Sequence, residues 1–138
     1  MRDYIFHGKR VDNGEWVEGC LIHQGKHCLI LQDESKLHPI DVPYINDLGC
    51  IDGYATPVVP ESVGQYTGMK DITDQRIFEG DIMETAIGGI TYHRGVVEFA
   101  DGAFGLRCAD GAAFFLCFVA GNYKKIGTVF ENANLLEG

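Results

Sequence analysis

Residues 63–83 read VGQYTGMKDITDQRIFEGDIM, two apolar runs separated by a polar turn, and their spacing points to strands rather than helices. In residues 64–68 the aromatic Tyr66 sits between Gln65 and Thr67, which suits a short strand with one buried side chain. KDITDQ follows as a polar loop, because the short carboxylates of Asp71 and Asp74 accept hydrogen bonds from nearby backbone N–H groups. Ile77 and Phe78 resume apolar character, Glu79-Gly80-Asp81 makes a tight corner, and Ile82 and Met83 open a new strand. Gly80 is expected to supply a backbone angle that a residue with a Cβ resists.

Working outward toward the C-terminus, the new strand enters a meander. Residues 82–87, 90–100, 103–109 and 112–120 are separated by Gly88-Gly89, Asp101-Gly102 and Asp110-Gly111. Three turn-forming dipeptides in succession predict four antiparallel strands. Alternation puts Val97 and Phe99 on one face, and Phe104, Leu106 and Cys108 share a face in the next strand. Residues 112–120, AAFFLCFVA, are apolar on both faces. They are therefore expected to be covered on both sides, inside a closed barrel or against another subunit. Residues 124–129 read as a further strand, and Asn132 as the cap of a short final helix, ANLLE.

Working outward toward the N-terminus, residues 4–11 and 15–22 flank Asn13-Gly14, a hairpin signal, since both residues tolerate the positive φ of a type I′ turn. Trp16 and Val17 are adjacent and so face opposite ways; the tryptophan suits a core or interface anchor better than a ligand platform. A second turn at Gln24-Gly25-Lys26 leads into residues 28–32. Between residues 33 and 60 the pattern weakens among Pro39, Pro43, Pro57 and Pro60, an irregular connection with short strands or a helical turn. The expected fold is mostly β: an antiparallel meander closing into a small SH3-like or related barrel, with an irregular insertion and a short C-terminal helix, α+β being the alternative. The whole of residues 1–138 is expected to form one domain, with hairpins in 1–32, the irregular connection in 33–60 and the core meander in 61–138.

Composition narrows the function classes. Eleven basic against twenty acidic residues leave a net charge of -9, which disfavours a groove that must neutralise phosphates and favours solubility or a basic partner. MRDYIFHGKR lacks the apolar region of a secretory signal, and no apolar run approaches the roughly 20 residues that span a bilayer. Five cysteines without regular spacing fit reduced intracellular thiols. A cytoplasmic protein without a membrane segment is expected.

Three constellations carry candidate chemistry. Glu79 and Asp81, with Asp71, Asp74 and Glu84 nearby, are residue types for paired-carboxylate acid/base work or a divalent cation; acidic side chains at a glycine corner more commonly bond backbone N–H groups. Cys20, His23, His27 and Cys28, with His38 and Cys50 further on, are zinc-ligand types, but their spacing matches no closed zinc motif. Cys108, Cys117 and His93 are the ingredients of a Cys/His nucleophile, yet both cysteines fall in apolar strands where a thiol packs as an inert hydrophobe. No phosphate-binding glycine loop or serine nucleophile elbow is present, and no cofactor is expected.

The segments GQYTGMKD, IFEGDI and IGTVFENANLL, preceded by HGKRVDNGEWVEG, follow in order the pattern of the YopX proteins of bacteriophages, prophages and their bacterial hosts, which this chain resembles over nearly its whole length. Where family members commonly carry Asn-Gly after Asp71 this chain has Thr73-Asp74, and where they often carry proline in the last motif it has Ala133. The resemblance implies a cytoplasmic phage-type accessory protein, oligomeric, and carries over no catalytic residue. The leading functional expectation is a non-enzymatic homo-oligomer that binds a host or phage protein, with Trp16, Tyr66, Glu79 and Asp81 as candidate binding residues. The alternatives are a small-barrel module associated with nucleic acid, by fold analogy alone, and a hydrolase using Glu79 and Asp81 or the region of His23 and His27.

Overall fold

The computed structural model describes residues 4–32, 40–45, 47–49, 51–87, 90–108, 111, 113–116 and 120–136. The fold is mostly β, in two antiparallel sheets, with a short helix near the C-terminus. Contacts group the chain into two compact units, Asp3–Gln65 and Tyr66–Gly138.

In the first unit, β1 (Phe6–Lys9), β2 (Trp16–Gln24), β3 (His27–Gln32), β4 (Val42–Ile45) and β5 (Ile51–Val58) lie in the order β4-β5-β3-β2-β1. The expected first hairpin is present, with Lys9 opposite Trp16. Its turn is longer than the two-residue type I′ expected from Asn13-Gly14. The Arg10 N–H donates to the Glu15 carbonyl at 2.9 Å, so residues 11–14 form the loop, and of the two only Gly14 takes a positive φ, 73°. The Asn13 side chain instead accepts from the Glu15 N–H at 2.9 Å, the local bonding that makes asparagine a turn residue in its own right. The second turn is tighter: Gln24 pairs with His27 across Gly25-Lys26.

The irregular connection contains more order than its prolines suggest. β5 pairs with β3 along one edge and with β4 along the other, and Pro57 lies past the residues that β4 covers, which is where a strand tolerates a missing N–H. Pro39, Asn46 and Cys50 lie outside the described residues. Ile30, Ala55 and Val58 are buried at the centre of the unit.

A buried cation fixes the start of β4 to this sheet. Arg10, 2% exposed, donates from Nε and Nη2 to the two oxygens of Asp12 at 2.9 and 3.0 Å. Nη2 also reaches Asp41 Oδ1 at 2.9 Å, and Nη1 reaches Thr56 Oγ1 at 3.3 Å. Two forked carboxylates suit the fixed plane of a guanidinium.

In the second unit, β6 (Gly64–Lys70) pairs with β7 (Arg76–Phe78) through Tyr66 and Phe78. β8 (Asp81–Ile87), β9 (Ile90–Ala100), β10 (Ala103–Cys108), β11 (Ala113–Phe115) and β12 (Lys124–Thr128) form a sheet in the order β11-β10-β9-β8-β12. The meander expected from sequence is present through β10. Asp101 and Gly102 both take positive φ, 52° and 81°, as a type I′ turn requires. Gly88-Gly89 and Asp110 lie outside the described residues.

One expectation for this unit is corrected and a second is not confirmed. The stretch 112–120 is not one long strand covered on both faces: β11 ends at Phe115, all three of its residues are exposed, and helical backbone begins at the buried Leu116. Ala112 and residues 117–119 lie outside the described residues. The sheet also has two distinct ends, β11 and β12, so the closed SH3-like barrel is not formed among the described strands. The final strand inserts beside β8 rather than extending the meander. The core beneath the sheet gathers Ile77, Met83, Val97, Leu106, Cys108, Leu116, Ala120 and Tyr123.

The C-terminal helix Val129–Asn132 is capped by Thr128, whose hydroxyl accepts from the Glu131 N–H at 3.2 Å. Asn132 is therefore not the N-cap. Its side-chain oxygen returns to the Thr128 N–H at 3.1 Å, the reciprocal bond of a capping box made by the next residue along.

Candidate functional site

The corner Glu79-Gly80-Asp81 is built as its sequence suggests. Gly80 has φ 92°, and its N–H donates to the Val97 carbonyl at 2.8 Å while its carbonyl accepts from Val129 at 2.7 Å. Asp81 then turns inward, 0% exposed. Its Oδ2 accepts from the Phe78 N–H at 2.8 Å and lies 3.2 Å from Lys125 Nζ. Oδ1 is buried with no hydrogen-bond partner among the described residues. Burial pushes the Asp81 carboxyl up to about 6, against the pull of the Lys125 charge and the Phe78 N–H, and the nearby charge of Asp71 adds to the rise.

Asp71 sits on the other side of the same lysine. Its Oδ1 accepts from the Thr73 N–H, the Thr73 hydroxyl and the Gln75 N–H at 2.8, 2.7 and 2.9 Å, and its Oδ2 from the Lys125 N–H at 2.9 Å. Burial pushes this carboxyl upward too, but the donors from Lys125, Thr73 and Gln75 outweigh it and hold it below its usual range. Lys125 completes the cluster by donating to the Arg76 carbonyl at 2.7 Å, its ammonium 5.5 Å from the centre of the Phe78 ring. Tyr66 is buried, its ring 5.6 Å from that of Phe78 and 5.3 Å from the Arg76 guanidinium carbon.

Asp71, Asp81 and Tyr66 thus meet around Lys125 and Phe78, whereas Asp74 is exposed and pairs with Lys70 at 3.7 Å. Glu79 remains half-buried at the corner. Glu84 engages Arg94, whose Nη1 donates to the Leu135 carbonyl at 2.8 Å. Every oriented group around Asp81 and Asp71 ties chain segments together. The arrangement is that of a folded joint between β7, β8 and β12, with buried carboxylates taking up backbone N–H groups.

The remaining sequence candidates do not converge on one site. Cys20 lies opposite Leu31 and His27 opposite Gln24, on one face of the β2–β3 ribbon; His23 lies opposite Cys28 on the other, because side chains alternate along a strand. Four residues divided between two faces cannot close around one ion. Among the described residues no group of three or more His, Cys, Asp or Glu is placed to hold a metal. His38, Cys50 and Cys117 lie outside the described residues, as does the side chain of His93. Cys108 packs in the core. Trp16 is half-buried in the first unit, 4.5 Å from the His7 ring. No helix among the described residues is long and apolar enough to cross a membrane.

The accessible feature of the second unit is on its sheet. Ala100 opposite Ala103, Glu98 opposite Gly105 and Phe115, and Val96 opposite Arg107 and Ala113 share one face. A cavity of about 320 Å³ opens there, with Ala100, Ala103, Gly105, Phe115, Glu98 and Arg107 among its lining residues. Glu98 Oε2 and Arg107 Nη2 are 3.1 Å apart. Phe115 on this face is 61% exposed, whereas Phe99, 55% exposed, and Phe114, 36%, alternate to the opposite face. Neither Glu79 nor Asp81 lines this cavity. Sequence reasoning marked residues 112–120 as covered, inside a barrel or against another subunit, without resolving which residues make this face; the run of Ala and Gly opposite phenylalanine was the available signal.

Comparison with curated proteins finds no match. A protein-family model described as YopX protein matches residues 16–137, a span holding all of β2 to β12 and both carboxylates around Lys125. The chain therefore belongs to the YopX protein family.

Proposed function

We propose that this protein is a non-enzymatic, phage- or prophage-type accessory module that acts in the cytoplasm by binding protein and assembles with copies of itself. The observation that carries this reading is the exposure of Phe115 at the cavity on the second unit, with Phe99 and Phe114 also exposed on the opposite face of the same sheet. Large aromatics exposed beside a cavity are costly to leave in water and mark interaction surfaces. The buried carboxylates, by contrast, are engaged in holding backbone, which favours a structural role over hydrolysis. A net charge of -9 weighs against nucleic acid as the partner.

Multi-angle light scattering over a dilution series tests the proposal. The expected result is a mass above that of one chain, falling toward it on dilution. The mass of a single chain at every concentration would overturn the self-assembly.

A further inference from the structure

We infer that the face formed by β9, β10 and β11 is the contact between two copies of this chain, with Phe115 of each copy seated against Ala100, Ala103 and Gly105 of the other. This rests on the self-assembly reading above and assigns it a surface.

The face carries a projection and a recess side by side. Phe115 stands beside Gly105, and the next row on the same face is the small pair Ala100 and Ala103, all of them lining the cavity. A two-fold contact uses the same patch on both copies, so a patch that offers both a knob and a hole is complementary to itself. Depth supports the match, since a cavity of about 320 Å³ accommodates one ring and its surroundings.

Charge selects a second copy as the occupant. Along the strands, Arg107 lies toward one end of the face, Glu98 follows one cross-strand row further on, and Asp101 occupies the turn at the far end. Two copies stacked antiparallel about the two-fold axis place each Arg107 over the acidic end of the other. A chain of net charge -9 repels its own copies at long range, so a contact between copies requires a patch of mixed sign. Arg107 is 61% exposed and Glu98 35%, leaving both able to exchange their mutual ion pair for one across the contact.

Sedimentation velocity on the full chain tests the assignment, using Phe115→Ser, Ala103→Arg, Arg107→Glu and Glu98→Lys. Each single variant should weaken self-association by about tenfold or more, as losing a central aromatic or pairing like charges does. An equimolar mixture of Arg107→Glu and Glu98→Lys should recover association, because every cross-copy contact then joins opposite signs. Circular dichroism and thermal melting identify any variant that has lost its fold, and the charge-exchange mixture decides the matter if Phe115→Ser fails. If the wild type associates and these variants associate equally well, the face is wrong while self-assembly stands. If the wild type is monomeric throughout, both fall.

Discussion

Each unit buries an ionic cluster, and the two are opposite in kind. In the first, Arg10 is enclosed by two carboxylates and the Thr56 hydroxyl, and its forked donors are matched by Asp12 and Asp41. In the second, Asp81 is enclosed with one lysine and one backbone N–H, and one of its oxygens has no partner among the described residues. A guanidinium remains charged in any surroundings, so the chain must satisfy it. A carboxyl can instead take a proton, so incomplete pairing is tolerated and appears as a raised titration point. Satisfaction holds the Asp12 carboxyl of the first cluster below its usual range, and incompleteness raises that of Asp81 in the second.

The largest expected effect is at the satisfied cluster. Arg10→Met should cost about 3–5 kcal/mol in denaturant unfolding, because it strands the buried Asp41 carboxylate without a counter-charge. Arg10→Lys should recover only part of this, since an ammonium cannot make two forks. A loss below about 1 kcal/mol would mean that the cluster behaves as a surface pair.

The next effect is in pH. Asp81 titrates at about 6 in the fold against an ordinary 3.8, so it binds a proton on folding. Its contribution is fully present below the ordinary value and is lost as pH rises through about 6, a change on the order of 3 kcal/mol. Asp71 runs the other way: its pKa is lowered, so its contribution is present above the ordinary value and lost as pH falls through the lowered one. Asp81→Asn should remove the fall in stability between pH 4 and pH 7, followed as unfolding free energy at stepped pH. An unchanged profile would show that Asp81 is not the group responsible.

Two smaller effects probe backbone rather than charge. Thr128→Ala removes the cap on the Glu131 N–H and should cost about 1 kcal/mol in thermal or denaturant unfolding. Asp74 has φ 67° and is exposed, so Asp74→Gly should stabilise by under about 1 kcal/mol, since glycine reaches that conformation without a Cβ clash. Destabilisation by Asp74→Gly would show that the Lys70–Asp74 pair matters more than the strain.

Local chemistry was legible in the sequence and distant pairing was not. Asp101-Gly102 announced its turn, and Glu79-Gly80-Asp81 its corner, because a few adjacent residues determine both. Asn13-Gly14 marked the hairpin but not its loop length, which depends on where Arg10 and Glu15 pair. Lys125 carried no signal as the partner of Asp71 and Asp81, since β12 joins β8 only in the folded sheet. Likewise Arg10 carried no signal within the first expected strand, residues 4–11, until the fold brought Asp41 beside it. The apolar run 112–120 was misjudged because periodicity cannot distinguish a buried strand from a buried helical turn in so short a segment. The split of the Cys and His residues between two faces required the β2–β3 register.

Hydrogen exchange measured at high and low protein concentration tests most directly the claim that the second unit carries the self-association surface. Concentration-dependent protection of backbone amides is expected in residues 96–108 and 113–115, strongest across β11, with the β1–β5 sheet exchanging alike at both concentrations. Protection that changes in the first unit and leaves residues 96–108 and 113–115 unaltered would contradict that claim.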